Sequence, residues 1–196
     1  YVRGQPHDYD HWRQLGNTGW SWDDVLPYFK RAESWEKGDD EFRGGDGPLS
    51  VSASNVRRDV IDAWVDAAVN AGFPRSDDYN GADQEGVGLY QMTMRDGRRC
   101  SSAVAYLRPA MHRKNLTVLT NTQALRVIFE GTRAVGVEVE TDGNTQTIKA
   151  SREIVLSSGA IGSPQLLMVS GVGPTEHLSE HGISTHRVLP GVGQNL

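Results

Sequence analysis

The sequence predicts a mixed α/β (α+β) architecture, and three stretches predict it. Residues 56–71 carry Val60, Ile61, Trp64, Val65, Ala68 and Val69 as one apolar stripe at helical spacing. Beyond residue 115 the pattern changes to short apolar runs separated by Asn, Gly and Asp turns, the mark of an antiparallel meander. Residues 153–173 then read as strand, glycine turn and helix start, a layout with which proteins hold a phosphate or a dinucleotide edge. Packed α/β turns that bind nothing share that layout.

Composition bounds the remaining possibilities. A chain of 196 residues, 37% hydrophobic and 23% charged, is ordinary for a soluble globular protein with a real core. Its 22 glycines predict many turns and close backbone approaches. A net charge of −5 gives no electrostatic case for nucleic acid or an anionic membrane surface. Arg95, Arg98 and Arg99 cluster near a turn and read as solvated surface. Cys100 is the only cysteine, which excludes a disulfide framework or a cysteine-based metal site within the chain. No apolar run reaches the roughly 18 residues of a transmembrane helix. The chain opens on Tyr1-Val-Arg-Gly and stops at Gly193-Gln-Asn-Leu196, so it reads as an internal fragment of a longer protein.

Taken in order, residues 1–19 are expected to be loop, centred on Asp8-Tyr-Asp-His-Trp12. Ser21 followed by Asp23 and Asp24 fits a capped helix start; Val25, Tyr28, Phe29 and Ala32 share one face, and Pro27 should kink it. Trp12, Trp20, Trp22 and Trp35 suggest core packing rather than an aromatic cage for a cation. Residues 36–48 are charged and glycine-rich, a loop suited to a boundary or a flexible lid. Leu49-Ser-Val-Ser alternates like a short strand, and Gly72 with Pro74 ends the striped helix. Asp77-Asp-Tyr-Asn-Gly81 is a turn that lacks the spaced ligands of a calcium loop.

Residues 87–95 have strand composition, with Val87, Leu89, Gln91 and Thr93 on one face and Tyr90, Met92 and Met94 on the other. A face bearing Gln91 and Thr93 either lines a cavity or meets water. Asp96-Gly97 turns the chain, and Ser101-Ser102 caps a helix from Ala103 onward. Four β runs are expected, at residues 116–119, 124–129, 134–139 and 146–149, with hairpin turns at Glu130-Gly-Thr132 and Asp142-Gly-Asn144. An apolar strand at 154–156 follows, then a helix capped by Ser163 with Pro164 in its first turn and stopped by Ser170-Gly171. His177 and His181 lie four apart with no further ligand, which reads as a solvated helix face and not a metal site.

Gly159-Ala-Ile-Gly-Ser-Pro-Gln-Leu-Leu-Met-Val-Ser-Gly-Val-Gly173 resembles the second signature of the glucose–methanol–choline (GMC) oxidoreductases. Tyr1-Val-Arg-Gly with Asp8-Tyr-Asp-His-Trp12, Arg99-Cys-Ser-Ser-Ala-Val-Ala-Tyr-Leu-Arg-Pro109 and Pro190-Gly-Val-Gly-Gln-Asn-Leu196 resemble further segments of that family, in the right order. The resemblance spans essentially the whole chain and is closest to choline dehydrogenase-like enzymes. It implies a fragment of a two-domain FAD-binding fold, with the flavin-domain β-meander and part of an antiparallel-sheet substrate domain. Residues 1–44 would be connecting segment and helix of the FAD domain, 45–114 part of the substrate domain, and 115–196 FAD domain again.

FAD is the implied cofactor and a small-molecule alcohol the implied substrate, with no electron acceptor specified. In the family the residue at the Ala124 position offers backbone to the adenine, while Ser158 and Gly159 pass close to the adenosine or pyrophosphate. Gln91 is the expected cavity-facing side chain of the substrate domain. The family's catalytic His and its N-terminal glycine-rich dinucleotide fingerprint have no counterpart in this sequence, so none of the six histidines is given the catalytic role. The fragment alone is expected to be inactive. A non-catalytic module reusing the fold is the alternative.

Overall fold

A computed structural model of the chain describes residues 1–54 and 58–196. The chain forms two compact units, Tyr1–Leu116 and Thr117–Leu196.

The first unit begins with a helix where a loop was expected. Helix α1 spans Pro6–Gln14. Proline at the first helical position needs no amide partner there, and the Asp8 carboxylate accepts the Gln5 N–H at 2.7 Å. Helix α2, Trp22–Ala32, starts as expected: the Ser21 N–H donates to Asp24 Oδ2 (3.0 Å) and Ser21 Oγ accepts the Asp24 N–H (3.3 Å). Tyr9 is the buried centre of the pair, with the rings of Trp12, Trp22 and Phe29 at 5.4–5.8 Å. Of the four tryptophans expected in the core, only Trp35 is buried; Trp12 and Trp20 remain about half exposed. Their rings meet edge to face at 5.8 Å on the surface of the helix pair rather than entering a second layer.

Strand β1 (Glu33–Trp35) pairs in parallel with β2 (Leu49–Val51). The glycine-rich loop between them is packed rather than free. A Cβ on Gly44 would sit 1.8 Å from the Lys30 carbonyl oxygen, and one on Gly47 2.4 Å from the Ala32 carbonyl carbon. Only glycine lets this loop lie against the end of α2. Helix α3 runs over Asp59–Asn70 and ends at Gly72, whose φ is +99°. Of the expected helix, Val56 and Arg57 lie outside the described residues. Its stripe is only partly covered: Val65 is buried, Ile61, Ala68 and Val69 are half-buried, and Val60 and Trp64 are exposed.

The strand expected over residues 87–95 is not continuous. Val87 makes a single bridge to Arg75 and Met92 one to Ser52, and only Met94–Arg95 forms a strand (β3), paired with β4, Arg98–Arg99. Gly86 and Gly88 pass so close to Pro74 and Ser76 that the chain follows the 74–76 segment instead of a sheet edge. The predicted alternation still holds for burial, with Val87 and Gln91 inside and Tyr90 and Met92 outside. Asp96 and Gly97, at φ +50° and +70°, make the expected two-residue turn. After Ser101, whose Oγ accepts the Val104 N–H, Ala103–Leu107 forms a π-helical turn that runs into helix α4, Arg108–Ala110.

The second unit is built on a three-stranded antiparallel sheet: β5 (Thr122–Glu130), β6 (Arg133–Thr141) and β7 (Asn144–Lys149). Asp142 and Gly143, at φ +51° and +77°, supply the tight β6–β7 turn. Two expected strands are absent. Residues 116–119 and 154–156 carry no regular secondary structure, and no described strand pairs with either, so they form no ladder.

Helix α5 spans Gly159–Val169, five residues earlier than Ser163-Pro164 suggested, with Pro164 inside it. Ser163 Oγ still works at the helix start, accepting the Ser158 N–H at 2.9 Å. The helix stops as expected at Ser170 and Gly171 (φ +83°) and packs on β5. A short parallel pair, β8 (Val172–Gly173) with β9 (Arg187–Val188), flanks helix α6 (Thr175–Glu180), whose Leu178 is fully buried.

Replacing Gly44 by Ala should destabilise the protein by about 1–3 kcal/mol or more in urea unfolding, because the new Cβ meets backbone that cannot yield. Gly191→Ala, with open space around the position, should stay within about 0.5 kcal/mol of the parent.

Candidate functional site

Each unit offers one arrangement with chemical potential. In the first unit, charged side chains meet where solvent does not reach. Glu33 follows α2 directly and is fully buried, as is Arg43 from the glycine-rich loop. Arg43 grips Glu33 through both sides of its guanidinium, Nη2 to Oε1 at 2.6 Å and Nε to Oε2 at 3.0 Å. Its remaining nitrogen, Nη1, donates to Asp78 Oδ1 at 2.6 Å, and its flat face lies 4.1 Å over the Trp35 ring. Arg3 adds a second cation to Glu33 (Nη2 to Oε2, 2.5 Å) and donates to the Phe42 carbonyl. Two buried arginines thus face two carboxylates, and each ion is hydrogen-bonded, which is the condition for keeping charge in a low-dielectric interior.

The network continues through amides. Asn80 Oδ1 accepts the Arg3 N–H at 2.7 Å, and Asn80 Nδ2 donates to Gln91 Oε1 at 2.5 Å. Gln91 Nε2 donates to Asp78 Oδ1 at 2.8 Å. The expected cavity-facing residue is therefore only 3% exposed, with its amide engaged inside the protein. It nevertheless lines a cavity of about 550 Å³, together with Tyr1, Tyr90, Met92, Thr93 and Met94. Burial pushes the Tyr1 phenol up from its ordinary value, and its hydrogen bond from Arg3 Nε (3.3 Å) pulls part of the way back. Tyr1 thus stays a neutral donor and acceptor at physiological pH.

In the second unit, the opening of α5 is the notable feature. Ser158 and Gly159 are exposed, and Gly159 sits at φ +86° with nothing within 4 Å of where a Cβ would stand. The first-turn amides of a helix have no partner within it and carry the positive end of its dipole. Backbone, not side chain, is presented here. Ala124 lies on β5 opposite Val139, half-buried, beside a register shift between Ala124 and Arg126. Ser170 fixes the far end of the helix to that strand: its Oγ accepts the Val127 N–H at 2.8 Å and donates to the Leu166 carbonyl at 2.5 Å.

A dinucleotide edge fits this opening, since the glycine leaves room in front of unpaired amides. Val155 and Ile161, near the opening in sequence, are exposed.

The residues that the sequence reading missed are Arg3, Glu33, Arg43, Asp78 and Asn80. The only advance signals were the Arg of Tyr1-Val-Arg-Gly and a lone Arg beside Gly44-Gly45, and neither names a partner 10 to 77 residues away. Among the described residues no group of three or more His, Cys, Asp or Glu is arranged to hold a metal. No described helix is long and apolar enough to cross a membrane.

The family profile described as GMC oxidoreductase matches residues 1–196. The chain is 48% identical to an oxygen-dependent choline dehydrogenase of Photobacterium profundum, covering all of this chain and 35% of the relative. It is also 48% identical to one of Sinorhizobium fredii, covering 36% of that protein. Among solved structures, pyridoxine 4-oxidase from Mesorbium loti superposes with a TM-score of 0.88 at 34% identity, over 97% of this chain and 38% of the other. An FAD-dependent oxidoreductase from Chaetomium thermophilum gives 0.88 at 32%, over 100% and 36%. The chain therefore spans about a third of the length of the relatives it matches.

Arg43→Met leaves Glu33 buried with half its partners and should cost about 3–5 kcal/mol in denaturant unfolding. The Glu33→Leu/Arg43→Met double variant should cost less than the two single losses added together.

Proposed function

The chain belongs to the GMC oxidoreductase family, and on that premise we propose that it forms the central part of an FAD-dependent enzyme oxidising a primary alcohol, of the choline class, to the aldehyde. FAD is the cofactor that family membership and the flavoprotein neighbours indicate. When bound, it supplies the acceptor for the hydride leaving the carbinol carbon.

The observation that carries this reading is the opening of α5, where left-handed Gly159 leaves helix amides uncovered. In the proposal, Ser158 and Gly159 lie against the adenosine or pyrophosphate part and the Ala124 backbone lies against the adenine. Residues 115–196 then belong to the FAD domain, 1–44 to its connecting segment and helix, and 45–114 to the substrate domain. In the same proposal Gln91 is a lining residue of the substrate cavity, its amide network fixing the wall it belongs to. No residue of this chain is assigned as the base. The sequence contains no G-x-G-x-x-G fingerprint, so the 196-residue chain alone should neither retain flavin nor turn over.

The protein expressed from its complete open reading frame should purify with flavin absorbance and reduce an artificial electron acceptor when given choline or a similar alcohol. Gly159→Val, which forces a β-branched residue into a left-handed conformation and fills the approach, should purify with most of its flavin lost. Full flavin content in that variant contradicts the assignment of α5. The isolated chain retaining stoichiometric FAD contradicts its reading as one wall only.

A further inference from the structure

We propose that the β3–β4 hairpin and the helical turn after it form a binding site for a small phosphate-class oxyanion. Arg95, Arg98, Arg99 and Arg108 line one cavity of about 660 Å³ together with Ser101, and Asp96 is the one acid in that lining. The chain as a whole carries −5, so four arginines around one opening are a concentrated departure from its charge.

The hairpin register adds a second observation. Arg95 stands directly opposite Arg98 across the two strands, an arrangement in which like charges repel and weaken the hairpin. Arg95 is nevertheless held in place, donating to Ser50 Oγ at 2.8 Å and to the Pro48 carbonyl at 3.2 Å. Among the described residues, Arg98, Arg99 and Arg108 make no ion pair. A fixed guanidinium, an opposed second one and two more in the same lining make a ready set of donors. A bound oxyanion relieves the repulsion that the register imposes.

Guanidinium forks match the oxygens of phosphate in a bidentate way, and a hydroxyl such as that of Ser101 donates to the same group. The cavity's size and the acidity of the rest of the chain favour a small anion over a polyanion such as nucleic acid. This site does not depend on which alcohol the protein oxidises.

The test uses the flavin-loaded product of the complete open reading frame, titrated calorimetrically with inorganic phosphate and with pyrophosphate in a non-coordinating buffer. Saturable binding is expected, weakening as salt rises. Arg98→Gln/Arg108→Gln should weaken it about tenfold or more per arginine removed. Arg98→Lys/Arg108→Lys, which keeps charge but loses the fork, should also weaken it and serves if the glutamine pair folds poorly. Unchanged flavin content in these variants assigns the site to a free anion; flavin loss assigns the same oxyanion chemistry to the cofactor's own phosphates. Absence of phosphate binding with flavin content untouched, or binding equal in parent and variants, overturns the proposal.

Discussion

The first unit depends on one buried carboxylate. Glu33 sits at the junction of α2 and β1, out of reach of water, and its charge is tolerable only because Arg43 and Arg3 both reach it. Meeting that demand dictates much of the rest. The loop carrying Arg43 must press against the end of α2, which only Gly44 and Gly47 permit. The segment carrying Arg3 must pass beside Asn80, and the surplus charge of Arg43 draws in Asp78. Gln91, tied to both Asn80 and Asp78, then sets the course of the chain along the Tyr1–Met94 cavity. Loop conformation, chain crossing and cavity wall follow from one desolvated charge.

The second unit solves a different problem, how to hold a helix so that its first turn stays bare. The three-stranded sheet gives α5 a surface, and Ser170 ties the helix end to β5 where the register shifts. With the far end fixed, the near end can present Gly159 in a conformation that few other residues adopt. Rigidity at one end and small residues at the other are what a close backbone approach to a ligand needs. In the proposed function that ligand is the dinucleotide of FAD.

Local signals were legible in the sequence wherever the physics is local. The Ser21 cap, the Asp96-Gly97 and Asp142-Gly143 turns and the Ser170-Gly171 stop each follow from a few neighbouring residues, and each stands where it was expected. The GMC resemblance was legible because the signature motif is itself contiguous, and the family match bears it out. What failed was decided elsewhere in the chain. Apolar composition at 116–119 and 154–156 suits a strand, but a strand exists only against a partner, and none of the described strands offers one. Residues 1–19 hid a helix because its start rests on Pro6 and Asp8 rather than on an apolar stripe. The Glu33–Arg43–Asp78 cluster was invisible because charge pairing across 10 and 35 residues leaves no periodic trace.

The proposed FAD-linked oxidation of an alcohol has a direct consequence for the flavin itself. Anaerobic mixing of the flavin-loaded protein, expressed from its complete open reading frame, with choline or a related primary alcohol tests it most directly. The oxidised flavin absorbance should bleach as the aldehyde forms, one equivalent for each flavin. A flavin spectrum that stays oxidised across choline and other primary alcohols would contradict it.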